Sequence, residues 1–196
     1  METELYIINE EIACRQLCII KECIYNIALY RGLSSIMNIP DLQERLKNAL
    51  DNINNIYEFV VTSMNNGVYT ICIRWCNLFG TDNEENHWKK LFSNISKQNE
   101  IRKDIFHKIC KNKESWIQYC KTFKDFRDNY VAHLNDYGYN CNVPNFDQAI
   151  EIFYLYYEKI CTALNLDVYD DIKLYYENSL MEVLAVYNNL ILSLQP

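Results

Sequence analysis

Glycine and proline are scarce, with four and three in 196 residues. A β-sandwich needs a turn about every 8–12 residues, and so few turn formers exclude one, along with any loop-rich chain. No uninterrupted apolar run approaches the ~20 residues that span a bilayer, so no membrane contact is expected. HExxH, CxxC and EF-hand patterns are missing, as is a glycine-rich strand-to-helix phosphate loop. These gaps set aside zinc-peptidase, calcium-sensor and loop-based nucleotide chemistry, and no metal or cofactor is expected. Positive charge is also short. The net charge of -7 argues against broad, sequence-blind wrapping of nucleic acid, which needs many phosphate contacts.

What the chain does have is aromatic: sixteen tyrosines, eight phenylalanines and three tryptophans. Such filling packs a core but leaves tyrosine tips to satisfy. The length predicts a single domain over 1–196, large enough to bury a core without disulfides or metal. Nine cysteines, an odd number, and the start Met1-Glu2-Thr3-Glu4, without a basic leader and apolar run, predict a cytoplasmic protein with reduced thiols. Cys14/Cys18 and Cys72/Cys76 are spaced i,i+4 and read as small buried apolar residues. Charge is uneven: between His87 and Arg127 lie eleven Lys or Arg and four acids, a net +7, leaving -14 elsewhere. This pattern fits either a local basic surface feeding one site or ordinary solvated helix faces.

Periodicity of 3.6 dominates, and an all-α bundle of long antiparallel helices with short additional ones is expected. Leu5, Ile8, Ile12, Ile19, Cys23 and Ile27 mark a first helix to about Tyr30, with Arg31-Gly32 as its stop. Pro40 and Asp41 open a second, striped by Leu42, Leu46, Leu50, Ile53, Ile56 and Val60. Asn65-Asn66-Gly67 breaks or bends it, and Val68–Phe79 continues, better as helix than as strand, up to Gly80. Thr81 or Asp82 caps a short helix through Trp88, Leu91 and Phe92, and Ile101, Ile105 and Ile109 mark another. A helix from about Glu114 to His133 carries Tyr119, Phe123, Phe126 and Tyr130 on one stripe. The run 135–140 is a loop; Pro144 starts a helix striped by Phe146, Ile150, Phe153, Tyr157, Ile160 and Leu164; Asp167 caps the last one, to about Leu192.

The late helix holds the most informative string, Phe126-Arg127-Asp128-Asn129-Tyr130-Val131-Ala132-His133. An arginine can hold a phosphate and a histidine can move a proton near neutral pH. On a straight helix with about 100° per residue, Arg127 and His133 lie about 120° apart, so one helix does not build the pair alone. A second copy across a two-fold axis would supply missing groups, which makes a composite site at a dimer cleft attractive. Asn129, one turn before His133, can orient the imidazole or bond to a ribose. Asp128 can fix the guanidinium or the imidazole, while offsetting charge. Lys121 and Lys124 can steer a polyanion toward the motif or simply face solvent. Tyr130 lies on the apolar side; Tyr137 and Tyr139 can stack on bases or pack on the bundle. His133 itself fits either a proton carrier or a packed histidine. His87 beside Trp88 reads as a helix cap or packing residue, and His107 as exposed or packed.

The spacing Arg127–His133, with Asp128 after the arginine, resembles the R-x(4-6)-H motif of the HEPN superfamily. The wording Phe-Arg-Asp-Asn-Tyr-Val-Ala-His, with Trp75-Cys76-Asn77-Leu78-Phe79-Gly80 and His87-Trp88, is most similar to its abortive-infection branch. The resemblance covers Trp75 to about Asn135. It implies a HEPN-like helical bundle and a metal-independent RNA endonuclease, often a toxin or antiviral effector, acting as a homodimer. Arg127 and His133 would be the catalytic pair, with Asp128 as the motif's polar residue. RNA is the implied partner, and a separate antitoxin or nucleotidyltransferase would restrain or accompany the chain. The alternative is a catalytically inactive HEPN-fold binding or regulatory protein, and a third reading is a helical interaction protein whose Arg and His are structural.

Overall fold

The structure is a computed structural model that describes residues 9–39, 56–92, 94–105, 109–132, 143–166 and 170–193. The described residues form six α-helices and no strand: α1 Glu10–Met37, α2 Ile56–Phe79, α3 Ile95–Ile105, α4 Lys113–Phe126, α5 Phe146–Ala163 and α6 Ile172–Ser193. A 3-10 turn, Trp88–Lys90, precedes α3, and a π-helical turn, Arg127–Ala132, follows α4. The all-α class read from the sequence is therefore what the chain adopts. No described helix is long and apolar enough to cross a membrane.

The chain divides into two compact units, Met1–Cys23 with Cys72–Asp170, and Ile24–Ile71 with Asp171–Pro196. The first is built around Trp75, which is fully buried. Its indole stacks on Phe123 at 4.4 Å and meets Tyr119 and Phe153 edge-on at 5.4 Å. Phe79 continues the cluster to Tyr156 at 5.6 Å. Each such pair adds about 0.5–1.5 kcal/mol beyond simple burial, so the aromatic richness of the sequence is spent on fixing α2, α4 and α5. The stripes expected on α4 and α5 are buried at Tyr119, Phe123 and Phe126 and at Phe146, Ile150, Phe153, Tyr157 and Ile160, while their last members, Tyr130 and Leu164, are half-buried. Lys159 of α5 reaches Glu100 at 3.1 Å and Asp104 at 2.7 Å on α3.

A buried polar network closes the same unit. The Gln16 side chain, fully buried on α1, donates to the backbone carbonyls of Asn86 at 3.0 Å and His87 at 3.3 Å. Its oxygen accepts from the Tyr156 hydroxyl at 2.7 Å. A buried amide costs free energy unless its donors and acceptor are met, so this network holds the stretch after Gly80 against α1 and α5. Gly80 ends α2 as expected, and a Cβ there would stand 2.3 Å from the Cys76 carbonyl oxygen.

In the second unit Leu33 and Ile36 of α1, Val60 of α2 and Val183 and Tyr187 of α6 form the core. The expected stop at Arg31-Gly32 is wrong: α1 runs through to Met37. Gly32 serves close packing instead, since a Cβ there would lie 2.6 Å from Val183 Cγ1. Asn65-Asn66-Gly67 neither breaks α2 nor ends it, and Val68–Phe79 is helix, not strand. The short helix expected through Trp88, Leu91 and Phe92 is reduced to the 3-10 turn. Burial of Cys72 and Cys76 agrees with the sequence reading, whereas Cys14 and Cys18 are exposed, against it. They fall on the solvent side of α1, opposite Ala13, Gln16, Ile20 and Cys23. Expectations for Leu5, Ile8, Pro40 to Ile53, the loop 135–140 and Asp167 lie outside the described residues; Asp171 caps α6, its carboxylate accepting from Lys173 N–H at 2.9 Å and Leu174 N–H at 3.2 Å.

Candidate active site

The motif sits where α4 changes register. α4 opens with Asn112, whose side chain accepts from Ser115 N–H at 2.8 Å, and the preceding Lys111 takes a left-handed φ of 66°. The helix stays α as far as Phe126, and Arg127–Ala132 then follows a π-helical path. The expected α-helix through His133 is thus corrected at Arg127. π-turns are rare, cost ideal hydrogen bonding, and recur at functional sites. The Arg127 N–H, last of the α pattern, is shared between the carbonyls of Lys124 and Phe123.

Arg127 is pinned by its neighbour. Its Nε and Nη2 both donate to Asp128 Oδ1, at 2.9 and 2.8 Å. The arginine side chain keeps 25% of its exposure and the aspartate 44%. Asn129 donates to the Asp125 carbonyl at 2.7 Å, occupying one donor of its amide on the helix itself. Tyr130 leans on Phe126, ring centres 5.2 Å apart, and is half-buried, as its place on the stripe predicts. Lys121 pairs with Asp125 one turn on, and Lys124 is exposed. Arg127, Asp128, Asn129, Tyr130, Lys121 and Lys124 are therefore gathered on one continuous stretch of helix. His133, Tyr137, Tyr139 and His107 lie outside the described residues.

Two residues missed as site neighbours emerge from tertiary packing. Cys76 is buried within electrostatic reach of the turn: burial pushes its thiol up to about 11, against the opposing pull of the Arg127 guanidinium. Glu84, from the stretch after Gly80, acts on both Cys76 and Arg127, and raises the thiol further. The signal in the sequence was the Trp75–Gly80 string, singled out there without a spatial reason. Trp75 sets the aromatic floor of α4, and Cys76 follows it directly.

His87 is no part of this group. It is 2% exposed and caps the 3-10 turn, its Nδ1 accepting from Lys89 N–H at 3.4 Å. That fixes the proton on Nε2, which faces Asp82 Oδ1 at 3.5 Å. Burial drives its pKa down to about 4, although Asp82 pulls the other way, so the ring is neutral at pH 7 and the contact is not an ion pair. The cap-or-packing role read from the sequence is both at once.

Chemically, the turn offers a fixed guanidinium, a carboxylate that orients it, and an amide tied to the backbone. Among the described residues no three His, Cys, Asp or Glu side chains are grouped to hold a metal ion. No family model, no curated protein and no solved structure matches the chain.

Proposed function

We propose that the chain is a metal-independent RNA endonuclease of the HEPN kind, a toxin or antiviral effector of the abortive-infection branch. The reading rests on the motif's wording and on one observation: Arg127 stands on a π-helical turn with its Nε edge fixed by Asp128. A guanidinium held in this way offers its remaining N–H groups to a phosphoryl oxygen at little ordering cost. The ribose 2′-OH attacks the adjacent phosphorus, the P–O5′ bond breaks, and the products are a 2′,3′-cyclic phosphate and a free 5′-OH. His133 takes the 2′-OH proton or delivers one to the leaving oxygen, and the same residue of a second subunit performs the other transfer. Arg127 stabilises the charge that builds on the non-bridging oxygens. Lys124 steers the strand toward the turn, and Tyr137 and Tyr139 stack on its bases. A separate antitoxin or nucleotidyltransferase restrains the activity in a cytoplasmic host setting.

Mixed RNA incubated in EDTA with the wild type, Arg127→Ala and His133→Ala tests this. Cyclic-phosphate ends made by the wild type and lost in both variants, with unchanged helical content, are expected. Full activity in His133→Ala ends the catalytic reading. Mass in solution tests the homodimer. A second reading, an inactive HEPN-fold binding or regulatory protein, is favoured by the near-neutral Arg127–Asp128 pair within a chain of net charge -7. Retarded RNA without cleavage distinguishes it.

A further inference from the structure

Free cysteine is among the most buried residue types, and an exposed thiol is unusual in a folded chain. Of the eight described cysteines, Cys14 and Cys18 are exposed, five are buried and Cys120 is intermediate. The two exposed ones are four residues apart on α1, on the same solvent-facing strip as Glu10 and Glu11. Arg15, next to Cys14, pairs with Glu85 at 2.8 Å and with Glu11 at 3.7 Å.

We propose that Cys14 and Cys18 form a two-thiolate site for a soft, two-coordinate metal ion of the Cu(I) type. Side chains at i and i+4 have Cβ atoms about 5–6 Å apart. A disulfide needs about 3.5–4.5 Å between Cβ atoms, so these thiols do not join within an intact helix. A metal ion placed between the two sulfurs spans that larger gap without bending the backbone. Donor number and softness then select the ion. Structural zinc takes four ligands, and among the described residues no group of three or more His, Cys, Asp or Glu is found. Glu11, one turn before Cys14, is a hard oxygen donor already facing Arg15. Two thiolates alone suit Cu(I), which favours soft sulfur and accepts low coordination. Binding exchanges two S–H protons for two metal–sulfur bonds, leaving a bis-thiolate of charge -1 and releasing both protons to solvent, with no change of oxidation state. Arg15, adjacent in sequence to Cys14 and one turn before Cys18, places positive charge beside that anion.

The full chain is titrated anaerobically with Cu(I) against bicinchoninate, whose coloured copper complex reports the ion withdrawn. The wild type removes one equivalent and releases two protons per ion. Cys14→Ser and Cys18→Ser each lose that equivalent, while Cys120→Ser and Cys141→Ser keep it, and all four retain wild-type helical circular dichroism. The proposal is overturned if either Cys14→Ser or Cys18→Ser keeps the full equivalent, or if the wild type withdraws no copper. Half an equivalent per chain with a doubled mass places the ion between two chains and also overturns it.

Discussion

The Arg127 guanidinium donates twice to a single oxygen of Asp128, from Nε at 2.9 Å and from Nη2 at 2.8 Å. The carboxylate therefore fixes the direction of the cation as well as lowering its net charge, and these two effects separate by mutation. On the proposed ribonuclease reading, if the orienting effect dominates, Asp128→Asn keeps an acceptor at the same place and retains most RNA cleavage, whereas Asp128→Ala loses about 100-fold in kcat, the order of cost for misplacing a positioned group. If charge dominates instead, both variants bind RNA more tightly at low salt. Cleavage rates and the salt dependence of binding, measured side by side, decide between them. An Asp128→Ala variant that cleaves RNA as fast as the wild type removes the orienting role.

His87 gives a pH prediction. Its pKa falls from an ordinary 6.5 to about 4 in the folded chain. The unfolded chain therefore takes up a proton below pH 6.5 that the folded chain refuses. The contribution is fully present above pH 6.5 and is lost as pH falls toward 4, amounting to about 2 kcal/mol by pH 5. Urea midpoints at pH 7 and pH 5 measure it. His87→Asn keeps a capping acceptor without a titrating ring, and its stability should change less over that interval.

Two glycines inside helices respond in opposite directions. Gly67 has only ordinary neighbours, with Asn26 O 3.5 Å from a notional Cβ, so Gly67→Ala stabilises by about 0.5–1 kcal/mol through helix propensity. Gly32→Ala gains the same propensity but drives a methyl to 2.6 Å from Val183 Cγ1. Overpacking of this kind costs about 1–3 kcal/mol, so a net loss is expected. Adding Val183→Ala to Gly32→Ala should relieve part of it. Thermal melts of the four proteins check the signs, and a stabilised Gly32→Ala contradicts the packing.

Removing the Tyr156 hydroxyl tests the buried network. Tyr156→Phe leaves the Gln16 oxygen without its 2.7 Å donor inside the first unit. An unmet buried acceptor costs about 1–3 kcal/mol. Denaturant unfolding should show a loss in that range. Faster amide exchange at His87 and Trp88 would follow, because Gln16 also holds the His87 carbonyl.

Spacing in the sequence carried most of the fold. The stripe Tyr119, Phe123 and Phe126 named the inward face of α4, and Phe146, Ile150, Phe153, Tyr157 and Ile160 did so for α5, because burial repeats with the helical period. Asn145 and Asp171 cap α5 and α6 through local bonds, where the sequence alone points to Pro144 and Asp167. Gly32 was misread as a stop because a missing side chain has two uses, ending a helix or admitting a neighbour, and only Val183 from α6 tells which. Cys14 and Cys18 were placed inside because residue type suggests burial, whereas their side of α1 is set by which of its faces the rest of the unit covers.

The composition and the local order of residues determined that this chain is helical, where its apolar stripes run, and that Arg127, Asp128 and Asn129 lie together near a helix end, since those depend on neighbours a turn or less away. Tertiary structure alone decided that α4 widens into a π-turn at Arg127, that Cys76 is buried within electrostatic reach of Arg127, and that His87 is sealed and neutral. Those depend on distant segments excluding water from particular atoms, which linear order does not encode.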